Sequence, residues 1–363
     1  MEKLRLSKQR VVWDRTLFFL ILTLTVLGFI AIADASAPQA LSSFNDKYYF
    51  VKQQLVWGAI GIVVLLVASK IHYTFWEKMA LPLFLISLLG LIIVLIPSIG
   101  QEALGARRWI FIGPVSIQPS EIVKLSLVLY LAKVYAKGKR LISYFLPLVI
   151  VLALIMLQPD LGTALVIGGT AFMQIFVSGI NPFYFLGTLT IGGIASFVLI
   201  MISDYRRDRL LTFLQQTRDP LGKSYHIRQI LLALGSGGLL GVGLGESRQK
   251  YLFLPEAATD SIFAVIAEEV GFLGSLVLIS LLAFFIIKGI KIAKKAPDNF
   301  SKLLAVGITS WIGLQIFLNL GSMVALVPLT GVPLPFISYG GSALTMILFA
   351  GGILLNISKY EKG

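Results

Sequence analysis

The stretch Leu254-Pro-Glu-Ala-Ala-Thr-Asp260-Ser-Ile-Phe-Ala-Val-Ile-Ala-Glu-Glu269 opens an apolar run that covers residues 261–287. A helix needs about 20 mainly apolar residues to cross a bilayer, so this run spans a membrane and the acidic cluster stands at its mouth. Ionisable side chains cost roughly 2.5–3.5 kcal/mol each at the centre of a spanning helix. Carboxylates placed there ask for a chemical reason. Outward from this run, nine more apolar stretches lie near residues 16–34, 51–69, 79–97, 120–136, 141–158, 160–178, 184–203, 303–327 and 340–357. With 57% hydrophobic and 13% charged residues, against about 25% charged in soluble proteins, the chain reads as an all-α polytopic membrane protein. It has ten transmembrane helices in a single membrane domain over residues 1–363. The runs are too long and too continuously apolar for a β-barrel.

Lys and Arg set the orientation. With the N-terminus cytoplasmic, eighteen of them fall in the inner connections and four, Lys47, Lys52, Arg107 and Arg108, in the outer ones. Both termini are therefore expected inside, with the long segment 204–260, between helices seven and eight, outside. Residues 229–245 are apolar enough to suggest an eleventh span. Their six glycines each lower helix propensity by about 1 kcal/mol relative to Ala, and a span here would turn the lysine-rich connection 288–302 outward. A short interfacial or re-entrant element is expected instead. The first apolar run is longer than the 7–15 residues of a signal core, which favours a retained helix. The absence of cysteine excludes disulfides and thiolate metal sites. The net charge of +13 reflects the inner-side basic residues and attraction to anionic lipid, so nucleic acid is not expected as a partner.

Few ionisable residues lie in or beside the spans, and they are organised. Gln118-Pro-Ser-Glu121-Ile-Val-Lys124 opens the fourth span with a Glu and a Lys at i, i+3 on one helix face. Gln158-Pro-Asp160 opens the sixth and Thr259-Asp260 the eighth, with Glu268 and Glu269 further in. The tenth follows Ser338. Ser120, Asp160, Thr259 or Asp260, and Ser338 are expected to cap these four helices, gathering their positive ends at one outer cavity. With Lys124, Arg107 and Arg108 nearby, such a cavity suits an anion, typically a phosphate. Each feature also has a plainer reading: a neutralising Glu121–Lys124 pair, an Arg107-Arg108-Trp109 headgroup anchor, a structural Glu268–Glu269 pair. His72 and His226 are isolated, which argues against a histidine metal site, and no phosphate-binding loop, HExxH helix or nucleophile elbow is present. The residues alone leave carboxylate-led chemistry on an anionic substrate and proton-coupled transport both open.

The blocks Gly105-Ala-Arg-Arg-Trp-Ile110, Gln118-Pro-Ser-Glu-Ile-Val-Lys124, Gln158-Pro-Asp-Leu-Gly-Thr163, Arg209-Leu-Leu-Thr-Phe-Leu214, Asp219-Pro-Leu-Gly222, Gly235-Ser-Gly-Gly238, Leu254-Pro-Glu-x-x-Thr-Asp260 and Pro335-Phe-Ile-Ser-Tyr-Gly-Gly-Ser342 resemble the SEDS (shape, elongation, division, sporulation) family over nearly the whole chain. The resemblance implies a peptidoglycan glycosyltransferase polymerising lipid II at the outer face of the bacterial cytoplasmic membrane. It carries the family's essential aspartate onto Asp260 and its polar cavity residues onto Arg108, Glu121, Lys124 and Asp160. Gln118 joins the substrate- and pyrophosphate-binding group, while Glu256, Thr259 and Ser338 are supporting residues.

The connection 239–251, together with Ala257, looks more like the FtsW division type than the RodA elongation type. Implied partners are lipid II, the undecaprenyl-pyrophosphate-linked glycan, a class B penicillin-binding protein and division-complex membrane proteins. Should a divalent cation (Mg or Mn) take part, Asp160 and Glu121 are its nearest acidic ligands. Two positions depart from the family pattern: Ala258 stands where relatives commonly carry a His, and Ser261 where they carry a Phe. A lipid II flippase, an elongation-type polymerase and a scaffold for a partner transpeptidase are the rival readings.

Overall fold

The computed structural model describes residues 13–103, 106–113, 115–138, 142–179, 225–251 and 253–361, together with isolated positions between 183 and 213. In chain order it contains α1 (Arg15–Ala35), α2 (Ala37–Phe44), α3 (Tyr49–Lys70), α4 (Tyr73–Ile93), β1 (Gly100–Ala103), β2 (Ala106–Ile112) and β3 (Val115–Ile117). There follow α5 (Pro119–Ala136), α6 (Ile142–Leu157), α7 (Leu161–Val177), α8 (Tyr225–Ser236), α9 (Ile262–Lys295), α10 (Asn299–Met323) and α11 (Gly341–Ser358). Six of the described helices, α1, α3, α4, α9, α10 and α11, are long and apolar enough to cross a membrane. The chain is an integral membrane protein. The expected span 184–203 and the loop residues 214–224 lie largely outside the described residues.

Burial sorts the helices. Most of α10 and α11 is buried, while α3, α4 and α9 turn much of their apolar surface outward, as helices bordering lipid do. α11 lies against α3, α4 against α5, and α10 against α9, α7 and α5. The start of α1 is fastened to the end of α11 by Asp14 N–H donating to Ser358 Oγ (3.0 Å) and to α9 by the Lys288–Asp14 ion pair (2.8 Å). The Tyr73 hydroxyl, which opens α4, donates to Asp298 before α10 (2.6 Å). Both described ends of the chain thus lie at one end of the bundle.

Two sequence expectations are corrected. The chain is not purely α-helical: β1, β2 and β3 form an antiparallel sheet in that order, with Gly100 opposite Ile110 and Ile110 opposite Ile117. Arg107-Arg108-Trp109-Ile-Phe-Ile112 supplies the aromatic and β-branched residues of a strand, and Gly113, at φ +62°, turns it into β3. The third apolar run is the second correction: its helix occupies Tyr73–Ile93 rather than 79–97. His72 caps it by accepting from Thr74 N–H, and Glu77 and Lys78 are held in its opening turns.

The glycine-rich stretch after α8 explains a break in α9. α8 itself has 12 residues, about 18 Å at 1.5 Å per residue, too short to span. α9 leaves helical geometry at Gly271 (φ 67°, ψ −167°), which frees backbone groups on either side of the break. Residues 238–243 take them up: Val242 and Gly243 N–H donate to the Glu268 and Glu269 carbonyls (3.0 and 3.1 Å), and Phe272 and Leu273 N–H donate to Gly238 and Leu239 (2.9 and 3.1 Å). The approach leaves no room for side chains. A Cβ at Gly241, whose φ is +83°, would fall on the Glu269 carbonyl, and one at Gly271 on the backbone of Gly241. Such buried backbone groups must be paired, and here a neighbouring segment replaces the missing helical turn.

Candidate functional site

Asp260 stands just before α9 on a backbone tied down at successive residues. Tyr339 N–H donates to the Ala258 carbonyl (2.9 Å), Ser338 Oγ donates to that of Thr259 (2.6 Å), and Asn319 Nδ2 donates to that of Asp260 (2.8 Å). Asn319, buried on α10, also donates to the Val332 carbonyl (2.8 Å) and so fixes the 330–334 segment beside the aspartate. Before it, Thr259 Oγ1 donates to Glu256 Oε2 (2.7 Å), and Glu256 itself is exposed in a left-handed conformation at φ 52°. Glu256, Thr259 and Ser338 accordingly shape the loop.

The 330–332 segment joins this aspartate to the start of α7. A Cβ built on Gly331 would lie 3.3 Å from Asp260 Oδ2, and one on Gly162 would collide with the Thr330 carbonyl. Asp160 caps α7, its Oδ1 accepting from Thr163 N–H (3.0 Å) and its Oδ2 from Thr163 Oγ1 (2.9 Å). Arg108 reaches over from β2, donating to the Gln158 carbonyl (Nε, 3.0 Å) and the Pro159 carbonyl (Nη2, 2.5 Å), with Nε 3.9 Å from Asp160 Oδ2. Its side chain is 30% exposed. The Gln118 N–H donates to Ser342 Oγ on α11 (3.4 Å), which brings the starts of α5 and α11 together.

Glu121 and Lys124 form a buried ion pair at 2.7 Å, with 2% and 3% of their side chains exposed. Lys124 Nζ also sits 5.5 Å over the Trp311 ring, a favourable cation–π position. Among the described residues Glu121 Oε2 has no hydrogen-bond partner. Of the expected caps, Asp160 makes its bond from the N-cap position of its helix. The N-cap positions of α5, α9 and α11 are Gln118, Ser261 and Gly340, none with a side-chain cap bond. Ser120 is inside α5 with its hydroxyl unpartnered among the described residues, and Thr259 and Ser338 spend their oxygens on the loop. Asp160 and Glu121 are a poor pair of divalent-cation ligands: one carboxylate is bonded to Thr163 and lies beside Arg108, the other is neutralised by Lys124. Among the described residues no group of three or more acidic or histidine side chains is placed to hold a metal ion.

Glu268 and Glu269 belong to a second buried cluster, one the sequence did not reveal in full. Lys250 Nζ contacts Glu269 Oε1 (2.8 Å), Asp34 Oδ1 (2.7 Å) and the Gly245 carbonyl (2.7 Å). Glu268 accepts from Ser247 Oγ (2.5 Å) and Arg248 N–H (3.2 Å). Burial opposes the Lys250 ammonium, but Asp34 and Glu269 outweigh it and hold the amine above its ordinary value. The cluster pins residues 245–250 to α1 and to the broken turn of α9. Asn319 was also missed; an amide inside the apolar run 303–327 was the signal, since buried polar side chains in spans serve as interhelical ties.

A family model described as "cell cycle protein", covering FtsW, RodA and SpoVE, matches residues 14–363. A probable peptidoglycan glycosyltransferase FtsW of Geobacter metallireducens is 40% identical over 97% of this chain and 96% of its own. Stage V sporulation protein E of Bacillus subtilis is 42% identical over 96% and 98%. Among solved structures, a chain of a peptidoglycan synthase complex that coordinates polymerization and crosslinking superposes with a TM-score of 0.78 at 30% identity, covering 96% of this chain and 98% of that one. The rod shape determining protein RodA of Thermus thermophilus superposes at 0.71 and 29% identity, covering 97% and 98%.

Proposed function

From the chain's membership of the FtsW/RodA/SpoVE family of cell cycle proteins, we propose that it is a peptidoglycan glycosyltransferase that polymerises lipid II into β-1,4 glycan strands. The observation that carries this is full-length identity near 40% to a relative named for that activity, joined to an aspartate that the fold holds at the mouth of α9. The active face is the outer one of the bacterial cytoplasmic membrane, where 204–260 forms an extracytoplasmic loop, and both termini are cytoplasmic.

Asp260 acts as general base. It accepts the proton of the GlcNAc 4-hydroxyl of an incoming lipid II, and that oxygen attacks the anomeric carbon of the undecaprenyl-pyrophosphate-linked strand. The bond to pyrophosphate breaks as the new one forms, which inverts the α-linked donor to a β-1,4 product. The leaving pyrophosphate draws on Arg108, the more exposed cation, and on the positive ends of α5 and α7 near Gln118 and Asp160. Lys124 acts from behind, its charge shared with Glu121.

A class B penicillin-binding protein is the natural partner of such a polymerase, with division-complex membrane proteins around it; the synthase complex of the structural relative supports this. The FtsW names of relatives favour septal wall synthesis. Purified protein given lipid II, with and without its transpeptidase, tests the reading. General-base catalysis contributes about 10²–10⁴ in rate, so Asp260→Asn and Asp260→Ala should lose polymerisation by at least about 10²-fold. Undiminished polymer from both variants would refute the assignment of Asp260. No polymer from wild type, with headgroup translocation in liposomes, would replace the polymerase with a flippase.

A further inference from the structure

We propose that His226, acting through Ser261, is a positioning residue for Asp260, an inference that rests on the reaction assigned above. In sequence His226 is isolated. In the fold it stands in the first turn of α8, and its Nε2 lies 2.8 Å from Ser261 Oγ. Ser261 is fully buried and adjoins the aspartate. It occupies the N-cap position of α9 but makes no side-chain cap bond, so its hydroxyl serves the imidazole instead of the helix.

The ties on the carbonyls of Ala258, Thr259 and Asp260 come from Asn319 and the 338–339 turn. His226 adds a tie from a different element. That element also locks onto the far end of the same segment, because the residues following α8 fill the break at Gly271. α8 and its trailing loop therefore grip residues 261–273 at both ends, with His226 at the end that carries Asp260. The imidazole can accept from the serine hydroxyl or donate to it; either tautomer makes the tie.

A displacement near 1 Å at a catalytic group can cost roughly 10²-fold in rate. Initial polymerisation rates against lipid II concentration, for wild type, His226→Ala, His226→Gln, Ser261→Ala and the His226→Ala/Ser261→Ala double variant, test the proposal. Hydrogen exchange of the 256–264 amides is measured on the same samples. His226→Ala and Ser261→Ala should each lower kcat by about 10-fold or more while leaving KM nearly unchanged, and the double variant should lose no more than either single. Gln, whose amide reaches the Nε2 position, should restore most of the rate. Exchange at 256–264 should rise in the alanine variants and return toward wild type with Gln.

Wild-type turnover in His226→Ala, multiplying losses in the double variant, failure of the Gln rescue, or unchanged exchange would each overturn the proposal. Wild type that forms no polymer, with the exchange pattern as expected, overturns the assigned reaction instead of the tie.

Discussion

Replacing Lys250 by Met isolates what the buried cluster behind the aspartate contributes. The ammonium is 4% exposed and its two carboxylate partners, Glu269 and Asp34, are 6% and 28% exposed. Removing one member of a buried pair costs about 3–5 kcal/mol, because the remaining charge is left without its counter-ion. Water reaches Asp34 but hardly Glu269, so the lower part of that range applies, roughly 3 kcal/mol. At about 1.4 kcal/mol per tenfold, the loop should open more often by roughly 10²-fold.

Hydrogen exchange read on peptides covering 239–251 and 262–273 measures that opening locally. A Lys250→Met/Glu269→Gln variant removes both charges and should recover at least about tenfold of the protection, since replacing both partners of a buried pair is far less costly than stranding one. Polymerisation should fall in the single variant too. The broken turn lies about ten residues from Asp260, roughly 15 Å along a helix. Protection within about threefold of wild type in Lys250→Met, well short of the roughly 10²-fold expected, would refute the reasoning, as would a double variant no better than the single.

Gly241→Ala forces a Cβ onto the Glu269 carbonyl in a left-handed conformation. It should cost more than about 3 kcal/mol, seen as a collapse of thermal stability in detergent, and a midpoint near wild type would contradict the interlock. Asn319→Ala strands the Asp260 and Val332 carbonyls, at about 1–3 kcal/mol for each buried group left unpaired. Polymerisation should drop with stability, and a variant as stable and active as wild type would exclude the tie. Because the folded Lys250 amine is raised above its unfolded value, near 10.4, its contribution is complete below that pH and fades only as pH rises through the folded value. The gap in thermal midpoint between wild type and Lys250→Met should thus hold from about pH 7 to 9.5 and narrow above about 10.5; narrowing that begins near pH 8 would count against it.

Most of the described helices were legible because an apolar run announces itself by length and composition, and the costly residues by their rarity; the run 79–97 was misplaced, and 184–203 lies largely outside the described residues. Asp160 and Asp260 stand where the sequence put them, at the starts of α7 and α9. The sheet was hidden because its strands adjoin long apolar runs, so that Arg107-Arg108-Trp109 reads equally well as an interfacial anchor. The break in α9 was hidden for another reason. Residues 261–287 look like one span, and only the arrival of 238–243 from far along the chain turns Gly271 into a place where two segments exchange hydrogen bonds. Lys250 with Asp34 and His226 with Ser261 are likewise pairings between distant segments, which periodicity and spacing do not encode.

Where charge is placed along the helices bears on the choice between the proposed polymerase and a carrier. The starts of α5, α7, α9 and α11 meet at one end through the Gln118–Ser342, Gly162–Thr330 and Thr259–Ser338 contacts. Glu121 and Lys124 lie in the opening turns of α5, and Glu268 and Glu269 precede the break in α9. Deeper in α7, Gln174 donates to the Val128 and Leu303 carbonyls (3.1 Å each), so its amide works as a tie between helices. A carrier for a pyrophosphate headgroup needs countercharge through some 30 Å of hydrocarbon. Among the described residues, the charges beyond these opening turns reappear at the opposite end, in pairs such as Lys288 with Asp14. Charge concentrated at one face, with amides and packed aromatics such as Trp311 between, suits a reaction carried out at that face on a substrate whose tail stays in the lipid.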